Sequence, residues 1–89
     1  MSTYIVTFEV PDADRRNALK EHLKLYNIYC PIHDNCWAIV TDKSSVQIRD
    51  RLNGIITPSD RVFVIKSGVE AAWNGIYGTA NADWLKEKL

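Results

Sequence analysis

An isolated carboxylate stands at the end of the first apolar segment of the chain. Glu9 follows the run from Tyr4 to Phe8, whose β-branched and aromatic residues are typical of a strand. One carboxylate does little alone, but two copies of Glu9 near a two-fold axis are the minimum that holds Mg²⁺ with water in its remaining positions. Glu9 is therefore the candidate catalytic and metal-binding residue. The alternative is an exposed glutamate at a strand end, or one paired with Arg15 or Arg61.

Basic residues follow in the next segment, which is predicted to be a helix. Helical projection puts Arg15 on the apolar side, so that its stem lies over the core and its guanidinium points towards Glu9 or Asp12. There it would bind a phosphate or form a structural salt bridge. Arg16, Lys20 and Lys24 are spaced i, i+4 on the solvent side, an arrangement that either binds along a phosphate backbone or is a solvated helix face. Arg15, Arg16 and Lys20 are the candidate nucleic-acid contacts.

The two cysteines and a nearby histidine have some appearance of a zinc site. Cys30, His33 and Cys36 are spaced three apart, and His22 would be the fourth ligand. On a tight hairpin, residues at that spacing tend to face opposite sides, so three ligands would converge only at an irregular turn. We expect buried or interfacial thiols instead. Because the sequence shows neither a signal peptide nor a membrane-spanning apolar run, we expect a cytoplasmic protein with reduced cysteines.

Several catalytic signatures are absent from the sequence. It contains no GxGxxG, GxxxxGK[ST], GxSxG or HExxH motif, which argues against nucleotide-hydrolysing and serine-hydrolase classes. No predicted strand has the aromatic-rich signature of an RNA-recognition module. Eleven Lys and Arg balance eleven Asp and Glu, so the chain does not coat nucleic acid through bulk charge, although a local basic patch is compatible with this balance.

The predicted elements follow the order β-α-β-β-α-β. Asp12 supplies an N-cap for the first helix, and Ser44 with Gln47 has the capping-box spacing for the second. Pro31 places the second strand at a sheet edge. The order predicts an α+β, ferredoxin-like βαββαβ sandwich, in which two helices cover one face of an antiparallel sheet. The predicted elements are strands over residues 4–10, 28–32, 36–41 and 61–66, helices over 12–26 and from Ser44 to Gly54, and a short C-terminal helix over 82–89.

The length of 89 residues predicts a single ferredoxin-like domain over residues 1–89.

The second face of the predicted sheet is also apolar. Ile5 and apolar residues of the third strand face away from the helices, and a bare apolar face is costly. We expect a second copy of the chain, together with the segment that carries Trp73 and Trp84, to cover this face. The sequence therefore predicts a homodimer.

The first third of the chain resembles the small CRISPR-associated integration subunit, a family described as metal-dependent endoribonucleases. The similarity lies in Tyr4-Ile-Val-Thr-Phe-Glu9-Val, in Asp12-x-Asp14-Arg15-Arg16-Asn17 and in a helix ending in Leu25-Tyr26. Over its whole length the chain is more similar to short bacterial and phage proteins called SinR-like, which look like relatives of that subunit. Those matching segments are Trp37-Ala-Ile-Val, Ser45-Val-Gln-Ile-Arg-Asp50-Arg-Leu, Asp60-Arg-Val-Phe-Val-Ile-Lys66 and Asp83-Trp84-Leu85-Lys86.

The resemblance implies a ferredoxin-like homodimer with metal-dependent activity, and Glu9 stands where the family has an aspartate. Two hypotheses follow. The first is a dimeric, Mg²⁺-dependent nuclease or nucleic-acid-binding protein, with Glu9 near the two-fold axis and Arg15 and Arg16 on phosphates. The second is a non-catalytic interaction module, such as a regulator, an antitoxin-like partner or a modulator of phage or host defence. The second is indicated by the balanced charge and by the absence of a strong catalytic set.

Overall fold

The order of elements is β-α-β-β-α-β, as predicted, in a computed structural model that describes residues 1–26 and 28–67. The elements are β1 (Ser2–Glu9), α1 (Ala13–Leu23), β2 (Ile28–His33), β3 (Cys36–Thr41), α2 (Ser45–Asn53) and β4 (Arg61–Lys66). The predicted C-terminal helix, with Trp73 and Trp84, lies outside the described residues. In the described part of the chain, no helix is long and apolar enough to cross a membrane.

The four strands form one antiparallel sheet in the order β2-β3-β1-β4. β1 lies inside the sheet, where Val6 is opposite Trp37 on one side and Val64 on the other. β2 is an edge strand, as Pro31 predicted, because proline has no N–H for a second neighbour. The register shifts between Pro31 and His33, which is typical of a bulge at a sheet edge. With its two helices, this is an α+β, ferredoxin-like fold.

The helices cover the face of the sheet that the alternation in β1 predicts to be buried. Tyr4, Val6 and Phe8 lie on this face, and each is less than a tenth exposed. Four helix side chains have no exposed surface: Leu19, Leu23, Ile48 and Leu52. Burial of one such aliphatic side chain contributes about 1.5–3 kcal/mol. One shared core thus holds both helices in place against the sheet.

Local capping sets the start of each helix. The carboxylate of Asp12 accepts a hydrogen bond from the backbone N–H of Arg15 at 2.9 Å. Ser44 and Gln47 form the predicted capping box, with N–H to side-chain oxygen distances of 3.2 and 2.8 Å. The predicted end of α1 is wrong. The helix ends at Leu23, because the N–H groups of Leu25 and Tyr26 bond carbonyls three residues earlier and the turn tightens.

Candidate nucleic-acid and metal site

Glu9 is the last residue of β1 and lies on the sheet face opposite the helices. Its register partner is Arg61 in β4, and Glu9 Oε1 lies 3.9 Å from Arg61 Nε. The Glu9 and Arg61 side chains are 72% and 82% exposed, so solvent screens their attraction. The pairing with Arg61 is one of the alternatives raised by the sequence. It leaves the Glu9 carboxylate accessible from solvent.

A polar concavity of about 410 Å³ opens beside Glu9, where the end of β1 meets α1 and the turn between β2 and β3. The backbone N–H of Phe8 donates to the carbonyl of Asn35 at 3.0 Å, which holds that turn against β1. The polar side chains that line it are Glu9, Arg16, Asn17, Lys20, Asp34 and Asn35. This surface is called the Glu9 concavity below. It brings together three of the four predicted site residues.

Arg16 is oriented within the Glu9 concavity by the backbone. Its Nη1 donates to the carbonyls of Val10 and Pro11 at 3.1 and 3.3 Å. These bonds set the plane of the guanidinium, which has further N–H groups to offer a phosphate oxygen. Lys20 lies one turn later on α1 and adds a flexible point charge to the same concavity.

Arg15 is not part of the Glu9 concavity. Its Nε and Nη2 donate to Asp60 Oδ2 and Oδ1 at 2.9 and 3.2 Å, which is a bidentate pair. Asp60 Oδ2 also accepts the backbone N–H of Thr57 at 3.0 Å, and the Asp60 side chain is only 1% exposed. Arg15 Nη1 also lies 3.9 Å from Asp12 Oδ2, so the expected approach to Asp12 and the structural salt bridge are confirmed, whereas the main partner is Asp60 and not Glu9. The Arg15 guanidinium fastens the start of α1 to the loop before β4, so it is not counted among the phosphate contacts below.

The Arg15–Asp60 pair changes the titration of both groups. The hydrogen bond from Arg15, followed by that from the Thr57 backbone, holds the pKa of Asp60 below its usual value. The same side-chain hydrogen bond raises the pKa of Arg15. Both groups therefore stay charged at neutral pH, as this partly buried structural pair requires.

Three polar residues of the Glu9 concavity are missing from the sequence-based prediction: Asn17, Asp34 and Asn35. Asp34 and Asn35 form the β2–β3 turn, which the sequence does indicate. That this turn lies beside Glu9 follows only from its packing against β1. Mg²⁺ in proteins is commonly held by one or two carboxylates, with water and substrate phosphate in the remaining positions. Glu9 and Asp34 supply a donor set of that kind.

Cys30, His33 and Cys36 do not form a metal centre. Within residues 1–26 and 28–67, no three His, Cys, Asp or Glu side chains are grouped so as to hold a metal ion. Both cysteines are free thiols and buried, and burial raises the pKa of each thiol. The expectation of buried thiols is confirmed. A thiol with a raised pKa is also a poor nucleophile at neutral pH.

A second, smaller concavity lies between the end of α1 and α2 and is called the α1–α2 cleft below. It has a volume of about 160 Å³ and is lined by His22, Leu25, Tyr26, Lys43 and Arg51. The rings of His22 and Tyr26 meet edge to face, with centroids 5.8 Å apart. Burial, and then the positive charge of Arg51, lowers the pKa of His22. None of these residues lines the Glu9 concavity.

The fold has a counterpart among solved structures. The chain is similar to the crystal structure of a hypothetical protein, TT1823, from Thermus thermophilus, with a TM-score of 0.71 and 19% sequence identity. The similarity covers 84% of this chain and 92% of that chain. At this identity it shows the fold alone. No family model and no curated protein matches the chain.

Proposed function

We propose that the protein is a Mg²⁺-dependent nuclease that binds a nucleic-acid strand at the Glu9 concavity. The observation that carries the proposal is that two carboxylates, Glu9 and Asp34, and two cations, Arg16 and Lys20, line one polar concavity. Metal-dependent phosphodiester cleavage uses both kinds of group, because carboxylates hold the metal ion while cations bind the phosphate charge.

Each residue has a separate part in this proposal. Glu9 and Asp34 would hold Mg²⁺, and the bound ion would supply Lewis-acid stabilisation of charge on the phosphate. Arg16 donates to a phosphate oxygen from a guanidinium already oriented by backbone carbonyls. Lys20 adds a second positive charge from the next turn of the helix. The high exposure of Glu9 lets a strand approach directly from solvent.

The active form in this proposal is a homodimer joined through the exposed part of the sheet face opposite the helices, along β4, which is called the open face below. Towards β2 and β3 the same face is buried, with Ala38 0% and Cys30 2% exposed. Phe63 and Ile65 on the open face are 59% and 49% exposed. Burying such large apolar side chains against a second copy removes them from water, which favours association. Glu9 lies at the end of the same face, so a two-fold axis there would bring the two Glu9 carboxylates towards each other.

Cleavage of a labelled single strand tests the nuclease proposal. The wild-type protein is expected to cleave the strand in Mg²⁺ and to lose this activity in EDTA. The Glu9→Gln variant, which removes the charge and keeps the shape of the side chain, is expected to be inactive in Mg²⁺. Arg16→Gln with Lys20→Gln is expected to weaken binding of the strand. Glu21→Gln is the matched control, because Glu21 is an equally exposed carboxylate of α1 outside the concavity. Full activity of cleanly purified Glu9→Gln protein would contradict the proposal.

The molar mass in solution tests the homodimer. Light scattering is expected to give twice the chain mass for the wild type and a lower mass for Phe63→Ser. Leu25→Ser is the matched control, because Leu25 is 76% exposed and lines the α1–α2 cleft, which shares no lining residue with the concavities at Phe63. A monomer at every accessible concentration would rule out this assembly.

The exposed pair Phe63 and Ile65 also favours a second candidate function, a non-catalytic interaction module or regulator that binds another protein through the open face. Affinity purification with wild-type and Phe63→Ser baits tests it. A stoichiometric partner that the wild type retains and Phe63→Ser loses would support this function. A partner retained equally by both baits would contradict the assignment of this surface.

A further inference from the structure

The α1–α2 cleft gathers positive charge that the described residues do not neutralise. Lys43 precedes α2 and Arg51 lies in its last turn, and both line the cleft. Within residues 1–26 and 28–67 neither side chain forms an ion pair with a carboxylate. Arg49 of the same helix, by contrast, is paired with Asp50 at 3.0 Å. Two cations at one concavity attract an anion more strongly than scattered surface charges do.

The charge of Arg51 acts inside the cleft. It is the second cause, after burial, that lowers the pKa of His22. It also opposes the larger effect of burial, which raises the pKa of Tyr26. The positive charge of Arg51 therefore acts on both rings that line the cleft.

The walls of the cleft are apolar and aromatic. His22 and Tyr26 contribute their rings, and Leu25, which is 76% exposed, lies beside them. Aromatic side chains provide surface on which the planar base of a nucleotide stacks. The volume of about 160 Å³ is smaller than the roughly 300–1,000 Å³ of a site that encloses a whole small ligand. The cleft is therefore suited to hold one group of a ligand, such as a phosphate, while the rest of the ligand lies against its rim.

We infer that the α1–α2 cleft binds the terminal phosphate of a nucleotide together with the adjoining base. Lys43 and Arg51 hold the phosphate through charge-assisted hydrogen bonds, and Tyr26 supplies ring surface to the base. The nucleotide is a free nucleoside monophosphate or the 5′-phosphorylated end of a strand, because both present the same chemical group. This goes beyond the proposed nuclease, because the cleft shares no lining residue with the Glu9 concavity.

Calorimetric titration of the full chain in EDTA tests the inference. The probes are AMP, adenosine, and a short dinucleotide with and without a 5′-phosphate. We expect each phosphorylated probe to bind at least about tenfold more tightly than its unphosphorylated partner, because charge-assisted hydrogen bonds are lost without the phosphate. Tighter binding of AMP than of the phosphorylated dinucleotide would assign the site to free nucleotide, and the reverse order to a strand end.

Variants locate the binding. Arg51→Gln and Lys43→Gln are each expected to weaken AMP binding by about tenfold. Both side chains are exposed, so their replacement leaves the core intact. Arg49→Gln, from the same helix, should bind AMP like the wild type. If affinity falls in Lys20→Gln but not in Arg51→Gln, the phosphate sits in the Glu9 concavity, which overturns this inference and leaves the nuclease proposal standing.

The titration of His22 gives a second, independent readout. Saturating AMP is expected to raise the pKa of His22, because the phosphate charge stabilises the imidazolium and offsets the charge of Arg51. NMR of the imidazole signals over a range of pH measures this change, and adenosine is the control. A pKa of His22 that does not move on saturation, or equal binding of AMP and adenosine, would overturn the inference.

Discussion

Replacement of Lys20 by glutamine should reduce the salt dependence of nucleic-acid binding. With Arg15 engaged by Asp60, the cations of the Glu9 concavity are Arg16 and Lys20. On a single strand, each neutralised phosphate contributes about −0.7 to the slope of log affinity against log salt. Two contacts therefore predict a slope of about −1.4 for the wild type and about −0.7 for Lys20→Gln. Lys20 is the better choice for this test, because Arg16 also bonds two backbone carbonyls.

The difference is measurable over a modest range of salt. A fourfold rise in salt should lower affinity about sevenfold for the wild type and only about threefold for the variant. Fluorescence anisotropy of a labelled single strand in EDTA measures both slopes without cleavage.

Lys24→Gln is the matched control for the slope. Lys24 lies just past α1, is paired with Glu21 at 3.2 Å and does not line the Glu9 concavity. Its replacement should leave the slope at the wild-type value. Equal slopes for wild type and Lys20→Gln would refute the assignment of Lys20. An equal reduction in Lys24→Gln would show a response to overall charge rather than to a local contact.

Three further outcomes test the structure around the site. The pKa of Asp60 is held below the ordinary 3.8, so its stabilising effect is present above that value and is lost as pH falls through the lower folded pKa. Asp60→Asn should remove this part of the acid dependence of urea unfolding, whereas Asp14→Asn should keep it. Ser44→Ala should lower the free energy of unfolding by about 1 kcal/mol and the melting temperature by about 4–8 °C, and an unchanged melting curve would contradict the capping role. Cys30 and Cys36 should react with a thiol reagent only as fast as the chain opens, since both are buried with raised pKa, and rapid native-state labelling would contradict this.

The parts of the fold that the sequence predicted correctly depend on neighbouring residues. Asp12 caps α1 because an N-cap needs only an acceptor within reach of the next few N–H groups. Ser44 and Gln47 form a capping box for the same reason. Pro31 indicated an edge strand because its missing N–H is tolerated there. The end of α1 was misplaced because hydrophobic spacing continues past Leu23, where the backbone has already tightened.

The site itself depends on contacts between distant parts of the chain. The partner of Arg15 is Asp60, which no local pattern could identify. Asp34 and Asn35 were predicted only as a turn, and their place beside Glu9 follows from tertiary packing. Residue type and position were thus enough to predict Glu9, Arg16 and Lys20 as site residues. The other residues that line the Glu9 concavity could not be predicted from the sequence.

Binding of nucleic acid at the Glu9 concavity can be observed by NMR of the labelled protein titrated with a single strand in EDTA. The largest amide shift changes are expected at the residues of this concavity, above all Arg16, Lys20 and Asn35. Changes of that size confined to other surfaces, with these amides unmoved at saturation, would contradict binding at the Glu9 concavity.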